Sequence, residues 1–209
     1  MDYLQQLIER YPILSSNKND IKYAYEIIIE SFSRGGKLLI AGNGGSASDA
    51  EHIVGELMKN FVKKRKLPEA FKKKIESFDS DISTYLLPLL QPGLPAISLS
   101  GHSTLNTACI NDIDGNITFS EQVYGYAKPE DVFLGISTSG NSKNILYATA
   151  TAKAMELKTI ALTGSDGGRL KTIADISIIV PEKEMYKIQE LHLPVYHCLC
   201  LMIEEYFFK

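Results

Sequence analysis

Apolar residues recur at helical spacing from Asp20 to Phe32, with Ile21, Ala24, Ile27, Ile28 and Phe32 on one side, and Gly35-Gly36 ends the stretch. A different pattern follows. The short apolar run KLLIA (Lys37 to Ala41) feeds directly into GNGGSASDAEH. The unit of apolar run, glycine-rich turn and helix then recurs. VFLGI (Val132 to Ile136) leads into STSGNS and a helix through Lys153, and TIALT (Thr159 to Thr163) leads into GSDGG. ISIIV (Ile176 to Val180) precedes a final helix from about Met185 to Phe208, and PAIS (Pro95 to Ser98) is one more candidate strand. Strands alternating with helices predict an α/β fold: a doubly wound, mostly parallel sheet flanked by helices. Ligands of such sheets sit beyond the carboxyl ends of the strands. That rule points to GNGGS, STSGNS and the loop before the last helix.

The rhythm breaks between Phe61 and Leu94, where no clean strand occurs. Residues 59–74 carry eight of the 22 Lys and Arg (Lys59, Lys63, Lys64, Arg65, Lys66, Lys72, Lys73, Lys74) against one acid, Glu69. The pattern predicts an insertion at about 66–92 with one or two surface helices. Its basic side reads as a solvated face, or else as a docking surface or anion-collecting rim.

Composition narrows the function classes. With 209 residues, 44% hydrophobic and 22% charged, the chain suits one folded domain and is not disordered. A net charge of −3 gives no electrostatic case for nucleic acid or an anionic membrane as the principal partner. No apolar run reaches the length of a membrane span. The N-terminal MDYLQQLIERYP is amphipathic and carries acids, unlike a signal peptide. Cys109, Cys198 and Cys200 are odd in number and without metal-type spacing, as expected of buried thiols in a reducing cytosol.

The candidate chemistry lies in the loops and on two helices. Ser137-Thr138-Ser139-Gly140-Asn141-Ser142 puts four hydroxyls just past a strand and opens a helix. Helix N-termini attract anions, and hydroxyls add uncharged donors to phosphate oxygens. Four hydroxyls exceed what an N-cap needs. Asn43-Gly44-Gly45 follows the same logic, with glycines that let backbone approach a ligand, although a tight strand-to-helix turn explains it equally. His52 and Glu56, at i and i+4, share one helix face. Gln189 and His197, eight residues apart, can line one groove. The four would make a site for Zn²⁺ or a similar ion; a core histidine and a surface His–Glu pair are the plainer alternative.

GNGGSASDAEH, Asn111-Asp112, GISTSGNS, LTGSDGG and KIQELH…H together resemble the sugar isomerase (SIS) domain. Within it they resemble the phosphoheptose isomerase family, which converts sedoheptulose 7-phosphate to a heptose 7-phosphate for bacterial surface glycans. The resemblance covers nearly the whole chain outside the insertion, as a single domain over 1–209 with N-terminal helices and a flavodoxin-like sheet. It implies that Asn43, Gly44, Gly45, Asn111, Asp112 and Gln189 touch substrate, and that Ser137, Thr138, Ser139 and Ser142 hold its phosphate. It implies zinc on His52, Glu56, Gln189 and His197, with Glu56 and His197 as acid–base pair. It further implies a cytoplasmic homotetramer with sites between subunits. The chain departs from the family pattern in having Met58, Lys59 and Asn60 where an arginine is usual, and Lys187 for the arginine before Ile-Gln-Glu. These departures leave the acid–base pair intact and bear on the sugar.

The expected chemistry is proton transfer between neighbouring carbons through a cis-enediol, with Glu56 as base and His197 as its partner. Three readings compete: an isomerase of another phosphosugar, a non-catalytic SIS protein that binds a phosphosugar or a partner, and a nucleic-acid binder. One non-catalytic branch that resembles this chain lacks the acid–base residues; here both are present.

Overall fold

The computed structural model describes residues 2–208. In chain order the helices and strands are α1 (Tyr3–Arg10), α2 (Lys18–Ser33), β1 (Leu38–Ala41), α3 (Gly45–Met58), α4 (Glu69–Glu76), α5 (Ser80–Leu86) and β2 (Ala96–Ser98). Then come α6 (Ser103–Asp112), α7 (Thr118–Tyr126), β3 (Val132–Ser137), α8 (Lys143–Ala154), β4 (Lys158–Thr163), α9 (Leu170–Ile173), β5 (Ile176–Ile179) and α10 (Met185–Phe207). The five strands pair in the order β2-β1-β3-β4-β5, and every pairing is parallel. The chain winds outward from β1 to β2, then crosses back over β1 to β3. That reversal makes the β1–β3 gap the topological switch point of the sheet.

Both faces of the sheet are covered, which is why its strands read as continuous apolar runs. Alternation assigns each residue to a face. Leu38, Ile40, Val132, Leu134, Ile160 and Leu162 pack into one core with α2, α3 and α10. Leu39, Ala41, Phe133 and Ala161 point the other way and meet Phe119 and Val123 of α7 and Ile145 and Leu146 of α8. All three cysteines are buried free thiols.

The stretch predicted to hold one or two surface helices holds two, α4 and α5, between α3 and β2. No residue of α4 is buried. Both ends of the excursion return to the C-terminus of α3: Arg65 Nη1 donates to the Leu57 carbonyl at 2.6 Å, and Leu94 N–H donates to the same carbonyl at 2.9 Å. The basic run is not wholly a solvated face, because Arg65 is 2% exposed. Among the described residues no helix is long and apolar enough to cross a membrane.

Candidate active site

Two separate regions carry all the predicted site residues except Asn111 and Asp112. The first is the carboxyl rim of the sheet. The loop after β3 and the loop after β4 are stitched by backbone: Gly164 N–H donates to Thr138 O at 3.1 Å, and Leu170 N–H to Gly140 O at 2.9 Å. Arg169 N–H donates to the Asn141 side chain at 3.1 Å. Gly140 makes the close approach possible. It has φ +63°, and a Cβ there would stand 2.0 Å from the Gly167 carbonyl. The stitching presents the hydroxyls: the Oγ atoms of Ser137 and Ser142 lie 3.1 Å apart, and Ser142 stands at the N-cap of α8. Ser139 is exposed and Thr138 half-buried.

Across the switch point the first loop joins this rim. Asn43 and Asn144 exchange amide hydrogen bonds at 2.9 and 2.8 Å, tying the β1 loop to the first turn of α8. Gly44 has φ +54°, and Gln189 of α10 lies so close that a Cβ on Gly45 would meet its Nε2 at 2.6 Å. Asn43, Gly44, Gly45, Gln189 and the hydroxyl loop therefore occupy one edge of the molecule. Asn111 and Asp112 do not join them by any described hydrogen bond. Both are exposed at the C-terminal end of α6, where Asn111 Nδ2 donates to Asp112 Oδ1 at 2.7 Å.

The second region lies further along α3 and α10, which pack side by side. His52 Nε2 stands 3.2 Å from Glu56 Oε1, as the i, i+4 spacing predicted. The His197 ring meets the His52 ring edge to face at 5.0 Å. Phe61 closes over His197 at 5.4 Å, and beside His197 a cleft of about 370 Å³ opens between α1 and α10, lined also by Tyr3, Arg10 and Tyr11. Burial lowers the His197 pKa, His52 lowers it further, and Glu56 works the other way. The imidazole is thus held neutral and able to accept a proton.

Two residues outside the predicted set shape this cluster. Tyr196 Oη lies 3.0 Å from His52 Nδ1. Burial, with the Asp49 carboxylate next in effect, holds the Tyr196 phenol far above its usual range, so it stays protonated. Which of His52 Nδ1 and Tyr196 Oη donates follows the imidazole tautomer. His52 Nε2 faces one oxygen of the Glu56 carboxylate, whose other oxygen accepts from Lys59 Nζ at 3.2 Å, and His197 Nε2 is buried without a hydrogen-bond partner. Imidazole nitrogens and a carboxylate are the kinds of ligand that Zn²⁺ takes. Among the described residues, however, no group of three or more His, Cys, Asp or Glu is gathered closely enough to hold a metal ion, and Gln189 sits at the rim against Gly45.

Asp49, Tyr196 and Asn144 were not singled out by the sequence reading. Asp49 stands three residues before His52, which a helix-face argument could have caught. Nothing local marks Tyr196 or Asn144.

The family model described as SIS domain matches residues 2–85 and 83–164. The phosphoheptose isomerase of Helicobacter pylori strain P12 is 39% identical over 194 residues, 93% of this chain and 88% of the relative. A probable phosphoheptose isomerase of Thermoplasma acidophilum is 41% identical over 180 residues, 86% of this chain and 85% of the relative. Among solved structures, a phosphoheptose isomerase from Francisella tularensis superposes with TM-score 0.77 at 31% identity, covering 97% of this chain and 95% of that one.

Proposed function

The chain belongs to the SIS-domain phosphoheptose isomerases, and on that premise we propose that Glu56 and His197 are its acid–base pair. The protein is an aldose–ketose isomerase that interconverts sedoheptulose 7-phosphate and a heptose 7-phosphate. The observation that carries the residue assignment is the meeting of Glu56, His52 and His197 on α3 and α10, with His52 between the Glu56 carboxylate and the His197 ring, whose Nε2 is unpartnered.

On this reading Glu56 takes the proton from C1 of the ketose and returns it to C2. His197, kept neutral by burial, carries the proton between the two oxygens. The enediol forms and collapses between them. Ser137, Thr138, Ser139 and Ser142 grip the phosphate and so orient the reacting carbons. Asn43, Gly44, Gly45, Gln189, Asn111 and Asp112 contact the sugar. Zn²⁺ would need His52, Glu56 and His197 with Gln189 drawn closer together than they stand here, and when bound there it would polarise the substrate carbonyl.

Glu56 lies eleven residues beyond Gly45 on one helix (56 − 45 = 11), about 16 Å along its axis at the usual rise. That separation supports a site completed by a neighbouring copy in a homotetramer, the arrangement we infer for a cytoplasmic enzyme supplying heptose for surface glycans.

Glu56→Gln tests the assignment. It keeps size and most hydrogen bonding, so sugar-phosphate affinity should persist while turnover falls about 10²–10⁴-fold. Exchange of the transferred C–H hydrogen with deuterated solvent should vanish in parallel. Full turnover in the variant sinks the role of Glu56. For the ion, zinc should copurify at one per subunit, and His52→Ala should lose it; metal analysis of zinc-replete wild type that finds none removes zinc from the scheme.

A further inference from the structure

We propose that the buried pair Arg65–Glu204 is a positioning device for the isomerisation, setting the places of both Glu56 and His197; this rests on their assignment as the acid–base pair. Arg65 is 2% exposed and Glu204 1% exposed. Glu204, near the end of α10, accepts three successive backbone N–H groups: Phe61 at 2.8 Å, Val62 at 2.9 Å and Lys63 at 3.0 Å. Arg65 adds two bonds to the same carboxylate, through Nε at 3.0 Å and Nη2 at 2.9 Å. The remaining guanidinium donors go to main-chain carbonyls: Glu56 at 3.0 Å, Leu57 at 2.6 Å and Pro92 at 3.3 Å. The Phe208 ring covers the guanidinium at 4.5 Å.

Each end of this network touches one member of the pair. Glu56 and Leu57 belong to the last turn of α3, whose carbonyls have no intrahelical donor, and a cation is the natural cap there. Arg65 thereby holds the peptide of Glu56 itself. Glu204 holds the turn that leaves α3, and that turn carries Phe61, whose ring lies 5.4 Å from His197. Glu204 also stands seven residues, two turns, beyond His197 on the same side of α10. The pair thus fastens the end of α3 to α10 at the level where the acid and base meet. Stability alone does not call for two buried charges here, because well-packed apolar residues often serve as well. What apolar residues cannot do is bind three N–H groups and three carbonyls at set positions.

The test uses the full-length protein with Arg65→Met and Glu204→Leu, singly and together, and Phe61→Leu, measuring kcat, KM and Tm. The double variant leaves no buried unpaired charge, so it should fold, with Tm lowered by the loss of the bonds to three N–H groups and three carbonyls. Its kcat should nevertheless fall about 10²-fold with KM within a few-fold, the cost of misplacing reacting groups by about an ångström. Phe61→Leu, with both charges in place, should lower kcat about tenfold at unchanged KM and Tm, again through loss of orientation. A merely structural role predicts the same losses of Tm but wild-type kcat in every variant that folds. That result overturns the proposal. Should the double variant not fold, Phe61→Leu decides, and unchanged kcat overturns the proposal there too. Glu56→Gln run alongside separates the two failures. Turnover retained in that variant removes the acid–base reading, whereas turnover lost there but kept in the Arg65, Glu204 and Phe61 variants removes only the positioning role.

Discussion

The carboxyl rim of the sheet and the middle of the α3–α10 contact are built in opposite ways. At the rim, backbone satisfies backbone: the loops after β3 and β4 bond to each other, and the hydroxyls they present carry no charge. Nothing there has to move or ionise for the loop to hold its shape. Along α3 and α10 the groups are side chains, and their polar atoms are incompletely matched, with His197 Nε2 unpartnered. A self-satisfied loop is a good anchor, because it binds an anion without reorganising. A cluster with unmatched donors is a good place for chemistry, because it gains partners when ligand or ion arrives. On the proposed assignment, the contrast separates holding substrate from transforming it.

Perturbing each region alone sharpens that division. Ser137→Ala with Ser139→Ala should weaken sugar-phosphate binding about 10²-fold, the scale of two lost bonds to a charged group. Titration calorimetry on the folded variant checks it, and unchanged affinity moves the phosphate elsewhere. Glu56→Gln should show the reverse split, in kcat. If one site draws its anchor and its acid–base pair from different copies, mixing these two inactive variants and allowing subunits to exchange should restore turnover that neither has alone.

Smaller effects concern what holds each region in place. Gly140→Ala forces a side chain into the left-handed region and onto the Gly167 carbonyl, so thermal or denaturant unfolding should show a loss of at least about 2 kcal/mol. A neutral outcome would mean that the two rim loops are not rigidly joined. On α10, His192 is fully buried, and burial lowers its pKa to about 4 from 6.5, with the Thr163 backbone working the other way. Between those values the unfolded chain binds a proton that the folded chain refuses. Stability is therefore full above about pH 6.5 and falls towards pH 4, by at most about 1.4 kcal/mol per pH unit from this group. His192→Asn should flatten that slope in denaturant melts taken across the window.

Much of the fold was legible from the chain alone: β1, β3 and β4 are short apolar runs closed by glycine or serine, and α2 shows its own helical period, whereas α6 and α7 were not read from the pattern. KLLIA, VFLGI, TIALT and ISIIV all became strands, and α10 runs from Met185 almost to the predicted end. The His52–Glu56 contact was equally readable, since helical spacing sets it. Tertiary structure decided what depends on partners far apart in sequence. The strand order β2-β1-β3-β4-β5 is one case; the Asn43–Asn144 exchange and the Tyr196–His52 bond are others, joining residues 101 and 144 positions apart. Arg65 shows the limit most clearly. In sequence it is one basic residue in a run of eight and belongs with a solvated face. Only the return of α10 brings Glu204, 139 residues later, to the turn after α3, and that approach makes burying the guanidinium possible. Local pattern specifies which backbone a segment prefers, whereas the surroundings of a charge depend on which distant segment packs against it.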